Sequence, residues 1–427
     1  MSIRILCTGD VHLGRRPSRI PENIDAHALG PAAAWGLFVN SAIELKVHAA
    51  CLTGDVVDAS NRFYEAFSLL QSGVQKLVDA GIAVYAVSGN HDWDVLPRLA
   101  DRIPEFRLLG RGGKWEQTVL PSKETPAVRL VGWSFPARHF STNPLANLDP
   151  PKAGMATVGL LHCDCGASGG PYGPVALEDL ADRNVDAWLL GHIHKPDIRS
   201  KSLPLVLYPG SPQGLNPGEP GAHGAWLVTI ESGRPPKADH LPMEALRWEQ
   251  IDVPLEGVGD EDALNATVID AMRARHDEIR GEMSYTKAVG CRLRLQGRTA
   301  IHRRLASLTS GMRTDLKPPF DEVEYFIEKI EDLSRPDLDL EDIAGANDPA
   351  GLLARRLLIL DRAAPQEAYL ELIRAAGEAI HKRRSASAFV SLPDSTDPPG
   401  EEEVRDMLVS AGMRMLDNLL AQKESGE

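Results

Sequence analysis

Five short blocks hold the side chains of this sequence best suited to chemistry: Asp10-Val-His12, Gly54-Asp55-Val-Val-Asp58, Gly89-Asn90-His91-Asp92, Leu161-His162 and Gly191-His192-Ile-His194. Carboxylate, imidazole and a neutral amide are the donors that two adjacent divalent cations need. A pair of ions about 3.5–4 Å apart clamps both the attacking and the leaving oxygen of a phosphoester, the two-metal route to hydrolysis. Each block alone is common; their joint occurrence in this setting points to a metal centre.

The setting is a series of strand ends. Ile3-Arg4-Ile5-Leu6-Cys7 is short, apolar and β-favourable, and Thr8-Gly9 breaks it just before Asp10. Ala49–Thr53 leads into Gly54-Asp55, Ala83–Val87 into Ser88-Gly89-Asn90-His91, Thr157–Leu161 into His162, and Ala187–Leu190 into Gly191-His192. Open α/β sheets keep their ligand sites at this edge. His27, His48, His139, His223, His240, His276, His302 and His381 lack such a setting and read as surface or satisfied core histidines.

These blocks resemble the calcineurin-like metallophosphoesterase superfamily, and their spacing is similar to the SbcD/YhaO group of bacterial DNA double-strand-break repair nucleases. The resemblance is dense over residues 1–230, including Tyr208-Pro-Gly-Ser-Pro-Gln-Gly-Leu215 and Pro217-Gly-Glu-Pro-Gly221, and looser to residue 350. It implies that Asp10, His12 and His194 hold one ion, that Asn90, His162 and His192 hold the other, and that Asp55 bridges them. Oxygen and imidazole donors without thiolate suit manganese, magnesium or iron better than structural zinc, and the resemblance points to manganese. It also implies that His91 is no ligand but serves the phosphate and leaving oxygen as general acid, a role worth about 10²–10⁴ in rate. Asp58 is the candidate to fix the orientation and charge of that ring, with Asp92 as rival partner or as cap of a helix beginning near Trp93. Phosphoprotein phosphatases carry an Arg where Ala59 stands, and Arg62 reads as the start of the next helix, so a monoester phosphatase is disfavoured.

Composition sets the outer bounds. At 427 residues and 43% hydrophobic content the chain can build two or three packed domains. No apolar run approaches the ~20 residues of a membrane span. The amino terminus is expected to carry no signal peptide, because Asp10 and His12 belong to the site. Five cysteines without a regular framework fit a reducing cytoplasm, and Cys163-Asp-Cys165 makes a poor zinc site without a second pair. A formal charge of −14 counts against a nucleic-acid binder, although two divalent cations offset part of it locally. Arg15, Arg16 and Arg19, on the loop after His12, are the candidates for DNA phosphate contacts, with Lys195, Arg199 and Lys201 as a weaker set.

Residues 1–245 are therefore expected to form an α/β metallophosphoesterase sandwich of two packed sheets flanked by helices. Residues 246–345 read as a small α+β cap, with strands near Trp248–Val253, Lys287–Gln296 and Val323–Ile330 and a helix over 260–279. In the resembling family such a cap helps position DNA, which makes Arg292, Arg294, Arg298, Arg303 and Arg304 candidates against a solvated strand face. Residues 346–427 read as helical, with one stripe at Tyr369, Leu372, Ile373, Ala376 and Ile380 and another at Val404, Leu408, Ala411, Met415 and Leu419, separated by a Pro-, Ser- and Asp-rich linker over 385–400. Such a stripe either folds back on its own domain or docks on a partner, and the resemblance implies that these helices dock on an SMC-like ATPase of the SbcC/YhaN type. The expected activity is manganese-dependent DNA phosphodiester hydrolysis, exonuclease or endonuclease, within an SbcCD-like repair complex. A homodimer stays open, as do two alternatives: a phosphodiesterase acting on nucleotides or other small substrates, and a non-catalytic scaffold for the ATPase.

Overall fold

The computed structural model describes residues 2–22, 24–25, 28–58, 63–120, 127–167, 169–231, 233–316, 318–361, 367–384 and 400–425. His27, Ala59, Arg62 and the linker over 385–399 lie outside them.

Fourteen strands precede residue 245: β1 (Ser2–Thr8), β2 (Ala49–Leu52), β3 (Ala83–Ala86), β4 (Phe106–Leu108), β5 (Glu116–Leu120), β6 (Val128–Trp133) and β7 (Thr157–His162), then β8 (Asp164–Cys165), β9 (Pro174–Val175), β10 (Ala187–Gly191), β11 (Asp197–Ser200), β12 (Leu205–Tyr208), β13 (Gly224–Glu231) and β14 (Lys237–Pro242). Twelve of them make two six-stranded sheets, ordered β14-β13-β1-β2-β3-β4 and β11-β12-β10-β7-β6-β5, while β8 and β9 pair separately. Strands β1 to β4 run parallel, as do β6, β7, β10 and β12. Parallel strands send the loops that follow them off a common edge, and all five motif blocks sit at such ends.

Both faces of these strands are buried, which is why they read as apolar runs rather than alternating ones. Ile3, Ile5 and Cys7 of β1 join Tyr85, Leu130, Leu160, Leu189 and Leu207 in the core between the sheets. Leu6 and Leu52 point the other way, onto Trp35, Phe38 and Leu70. These belong to the helices Pro31–Glu44 and Phe63–Asp79. Pro31 opens the first of them with its φ already helical. Leu161, Trp188 and Leu190 face outward from the second sheet into a third cluster with Trp133 and Phe135. Each large apolar side chain fully buried there contributes about 1.5–3 kcal/mol. The two-sheet α/β architecture expected from the sequence is what the structure has.

Beyond residue 245, β15 (Leu246–Pro254), β16 (Ala288–Thr299), β17 (Pro319–Phe320) and β18 (Val323–Pro336) form a sheet ordered β15-β16-β18-β17, and a helix covers Glu261–Ile279. The arginines of β16 are engaged by acids: Arg292 donates to Glu328 at 2.9 and 3.0 Å, and Arg294 lies 3.4 Å from Asp252. Arg298 donates to the Pro336 carbonyl and lies 3.7 Å from Asp417.

By compactness the chain divides into one unit of Met1–Val253, Val268–Arg294 and Thr309–Glu331, and a second of Pro254–Thr267, Leu295–Leu308 and Asp332–Glu427. The second unit carries helices Pro349–Asp361, Glu367–Arg384 and Glu401–Ser425 around Ala350, Ala354, Leu357 and Leu416. The last helix is turned differently from its expected stripe. Val404 and Leu416 are buried, whereas Met415 is 58% exposed, because Leu357 and its neighbours cover the Leu416 side. Part of the apolar stripe is thus covered within its own unit. No helix among the described residues is long and apolar enough to cross a membrane.

Candidate metal centre

The loops leaving β1 and β2 keep pairing after the strands end. The Asp10 N–H donates to the Gly54 carbonyl at 2.9 Å and the His12 N–H to the Asp55 carbonyl at 3.0 Å. Asp10, His12 and Asp55 adopt left-handed backbone at φ 49°, 49° and 48°, and His192 does so at 104°. Non-glycine residues held there cost about 1–3 kcal/mol each, strain that concentrates where packing must aim side chains at a site. Gly191 has a steric reason as well. A Cβ there would strike the Thr53 carbonyl and stand 2.6 Å from His162 Nδ1, so only glycine lets β10 approach this closely.

Three overlapping groups of donors result, each with its atoms within 4.8 Å of one another: Asp10, His12 and His194; Asp10, Asp55 and His162; His12, Asp58 and His91. The His12 and His194 Nε2 atoms are 3.3 Å apart, and Asp10 Oδ1 is 4.0 Å from His194 Nε2. On the other side His162 Nε2 lies 3.1 Å from Asn90 Oδ1 and 3.5 Å from Asp55 Oδ2. His192 stands outside these groups. Its N–H donates to both Asp10 oxygens at 3.2 and 3.1 Å, and its ring packs edge-on to His162 with centroids 5.4 Å apart.

Burial sets the electrostatics. Desolvation lifts the Asp10 carboxyl from 3.8 to about 7 and raises Asp55 as well. It also keeps His162 and His192 neutral, lowering them to about 3 and about 4, and depresses His12. His194 goes the other way: burial opposes its charge, but the hydrogen bond to Glu219 and the Asp10 charge outweigh it and raise it to about 9. Despite the charge on His194, burial leaves the carboxyls of Asp10 and Asp55 raised, so their negative charge is only partly compensated. The buried His12 Nδ1 has no hydrogen-bond partner among the described residues. With only oxygen and nitrogen donors and no thiolate, the residues fit a pair of divalent cations.

His91 is exposed at the rim, its N–H on Asp55 Oδ1 at 2.8 Å and its ring edge-on to His12 at 5.2 Å. Asp58 lies 3.0 Å from Arg15 Nε and 4.0 Å from His12 Nδ1. Asp92 fills neither role expected of it. Its carboxylate accepts from the N–H groups of Gly89 (2.8 Å), Val56 (2.8 Å) and Val57 (3.4 Å), and the helix Leu96–Ala100 starts later, with Val95 as its cap. Fully buried, Asp92 fastens the loop after β3 to the loop after β2. Arg19 pairs with Glu328 at 2.7 Å and Arg16 is exposed. Cys163 and Cys165 pack into the outer core of the second sheet.

One residue escaped the sequence reading. Glu219, 17% exposed at its side chain, accepts from His194 Nδ1 at 3.1 Å. The only signal was its place in Pro217-Gly-Glu-Pro-Gly221, a block noticed for resemblance and given no task.

Residues 3–196 match the calcineurin-like phosphoesterase family, and residues 248–335 match the middle domain of metallophosphoesterase YhaO. These two matches cover the stretch that carries the gathered donors and the sheet that follows it. The chain is 29% identical over 230 residues to an uncharacterized metallophosphoesterase YhaO of Bacillus subtilis (strain 168), across 51% of this chain and 54% of that protein. It is 26% identical over 144 residues to the DNA double-strand break repair protein Mre11 of Methanosarcina mazei, across 31% of this chain and 23% of that one. The chain thus spans about half the length of the first of these relatives and less of the second. Among solved structures, a dimetal phosphatase from Danio rerio aligns with a TM-score of 0.37 at 15% identity, covering 54% of this chain and 93% of the other.

Proposed function

We propose that this protein is a DNA nuclease that hydrolyses phosphodiesters with two divalent cations, manganese first among them, as the nuclease subunit of a cytoplasmic repair complex with an SMC-like ATPase. The observation that carries the reading is the convergence of Asp10, His12, Asp55, Asn90, His162 and His194 on one buried point, with the exposed His91 beside it. Asp10, His12 and His194 would hold one cation, Asn90, His162 and His192 the other, and Asp55 both. When bound, the pair supplies positive charge to the phosphate and the attacking water. His91 holds a proton for the leaving oxygen, and Asp58, within 4.8 Å of a His91 ring nitrogen, orients that ring. Arg15, fixed against Asp58 and still 39% exposed, is the guanidinium best placed to meet a neighbouring phosphate. The preference for DNA is supported by the similarity to a repair protein named Mre11. The ATPase partner and the Arg16 and Arg19 contacts rest on the resemblance of the motifs.

One incubation tests this: purified protein with labelled linear DNA, a nucleotide phosphodiester or a phosphomonoester, each with manganese or chelator. DNA should be cut with manganese and left intact with chelator. Turnover of the small diester alone would make the protein a small-substrate phosphodiesterase, and no turnover of any substrate would make it a scaffold.

A further inference from the structure

Glu219 sits 25 residues beyond His194 in sequence, yet its carboxylate closes on the face of the ring turned away from the donor cluster. We infer that Glu219 is the positioning residue of the His194 cation site. It holds the proton on Nδ1, so that the Nε2 lone pair is the one presented to a cation. The inference rests on the two-cation reading and adds to it a residue and a loop.

The carboxylate is itself held. Oε1 accepts from His194 Nδ1 at 3.1 Å and from Asn216 Nδ2 at 2.8 Å, while Oε2 accepts from the Leu215 N–H at 2.8 Å. Leu215 is buried, which anchors the loop that carries these groups. The main chain of His194 is gripped by the same segment: its carbonyl accepts from the Ser211 N–H at 2.8 Å. Gly210 permits that approach, since at φ +73° a Cβ would stand 2.6 Å from the His194 carbonyl oxygen. Ser211 Oγ in turn meets His223 Nδ1 at 3.0 Å, and His223 Nε2 lies 3.2 Å from the Glu219 carbonyl, so the loop is closed by buried hydrogen bonds. Ring and backbone of His194 are therefore both set by residues 210–219.

The other cation site is built differently. His162 Nδ1 lies 3.1 Å from the Thr53 carbonyl, a neutral backbone acceptor just past the end of β2. A carboxylate makes the imidazole it orients a more basic ligand than a carbonyl does, and losing such a partner typically costs about 10–100-fold in metal affinity. The two cation sites should therefore respond separately to Glu219.

The experiment is a manganese titration of chelator-stripped protein by calorimetry, with bound metal counted after gel filtration. Glu219→Ala should weaken one of the two binding steps by about 10–100-fold and leave the other in place. Glu219→Gln keeps an oxygen acceptor for Nδ1–H and should fall between wild type and Glu219→Ala. Unchanged affinity at both steps in the two variants would overturn the assignment. Equal weakening of both steps, with a lowered melting temperature of the metal-free protein, would also overturn it, since that is the mark of a merely structural loop. If Glu219→Ala does not fold, the glutamine variant alone decides between one step and both. Wild-type protein that takes up no manganese would instead refute the two-cation reading.

Discussion

Stripping the cations and returning them at different pH values should reveal how the site stores protons. Asp10 and His194 lie 4.0 Å apart, raised to about 7 and about 9. Both groups are raised, so each binds protons more tightly in the folded metal-free protein than in the unfolded chain. The stability this confers is present at acid pH and is lost as pH rises through 7 and then 9. His162 and His192, lowered to about 3 and about 4, are already neutral across that range and contribute no proton. A cation requires its ligands deprotonated, so metal uptake should release about two protons near pH 6 and about one near pH 8. Affinity should fall by about a hundredfold per pH unit below 7 and by about tenfold per unit between 7 and 9. Moving Asp10 from 3.8 to about 7 also corresponds to about 4 kcal/mol, the cost of its buried charge that the cations must offset. Calorimetry in two buffers of different ionisation enthalpy counts the released protons directly. A proton count that is zero, or the same at both pH values, would refute the reasoning.

Two substitutions separate the roles of neighbouring residues. On the proposed reading, His91→Ala should keep both cations, by metal analysis, while phosphodiester turnover falls by about 10²–10⁴, because His91 would serve the leaving group from outside the ligand set; loss of an ion would make it a ligand instead. Asp92→Ala removes the acceptor of three backbone N–H groups in a fully buried setting. At about 1–3 kcal/mol for each buried donor left unsatisfied, the metal-free protein should show a large drop in melting temperature, and an unchanged melt would show that water replaces the carboxylate without penalty.

The donors that the structure gathers were legible because most follow an apolar β run and a glycine, and His162 directly ends such a run. Strand β1 was readable as Ile3–Cys7 and is observed as Ser2–Thr8, and the other four site strands deviate as little. Local pattern does not report which distant group a polar side chain meets. Asp92 looked like a helix cap because caps are acidic and precede helices, yet its acceptors are claimed by amides on another loop, 35 and 36 residues away. The resemblance made Arg292 a candidate DNA contact against a solvated strand face, and the acid that pairs with it, Glu328, lies 36 residues further on. Glu219 was hidden for the same reason.

The C-terminal helix shows the limit in another form. Heptad-like spacing in Glu401–Ser425 admits two adjacent apolar faces, one through Val404, Leu408 and Met415 and one through Val404 and Leu416, and periodicity cannot choose between them. The choice is made by what lies opposite. Leu357 occupies the space against Gly412, where a Cβ would stand 2.7 Å from its Cδ2, and this close approach draws Leu416 inward and leaves Met407 and Met415 at 46% and 58% exposure. A partner that docks on this helix would therefore meet the methionine face rather than the whole stripe, and methionine, flexible and polarizable, is the side chain that adapts most readily to a surface of another shape.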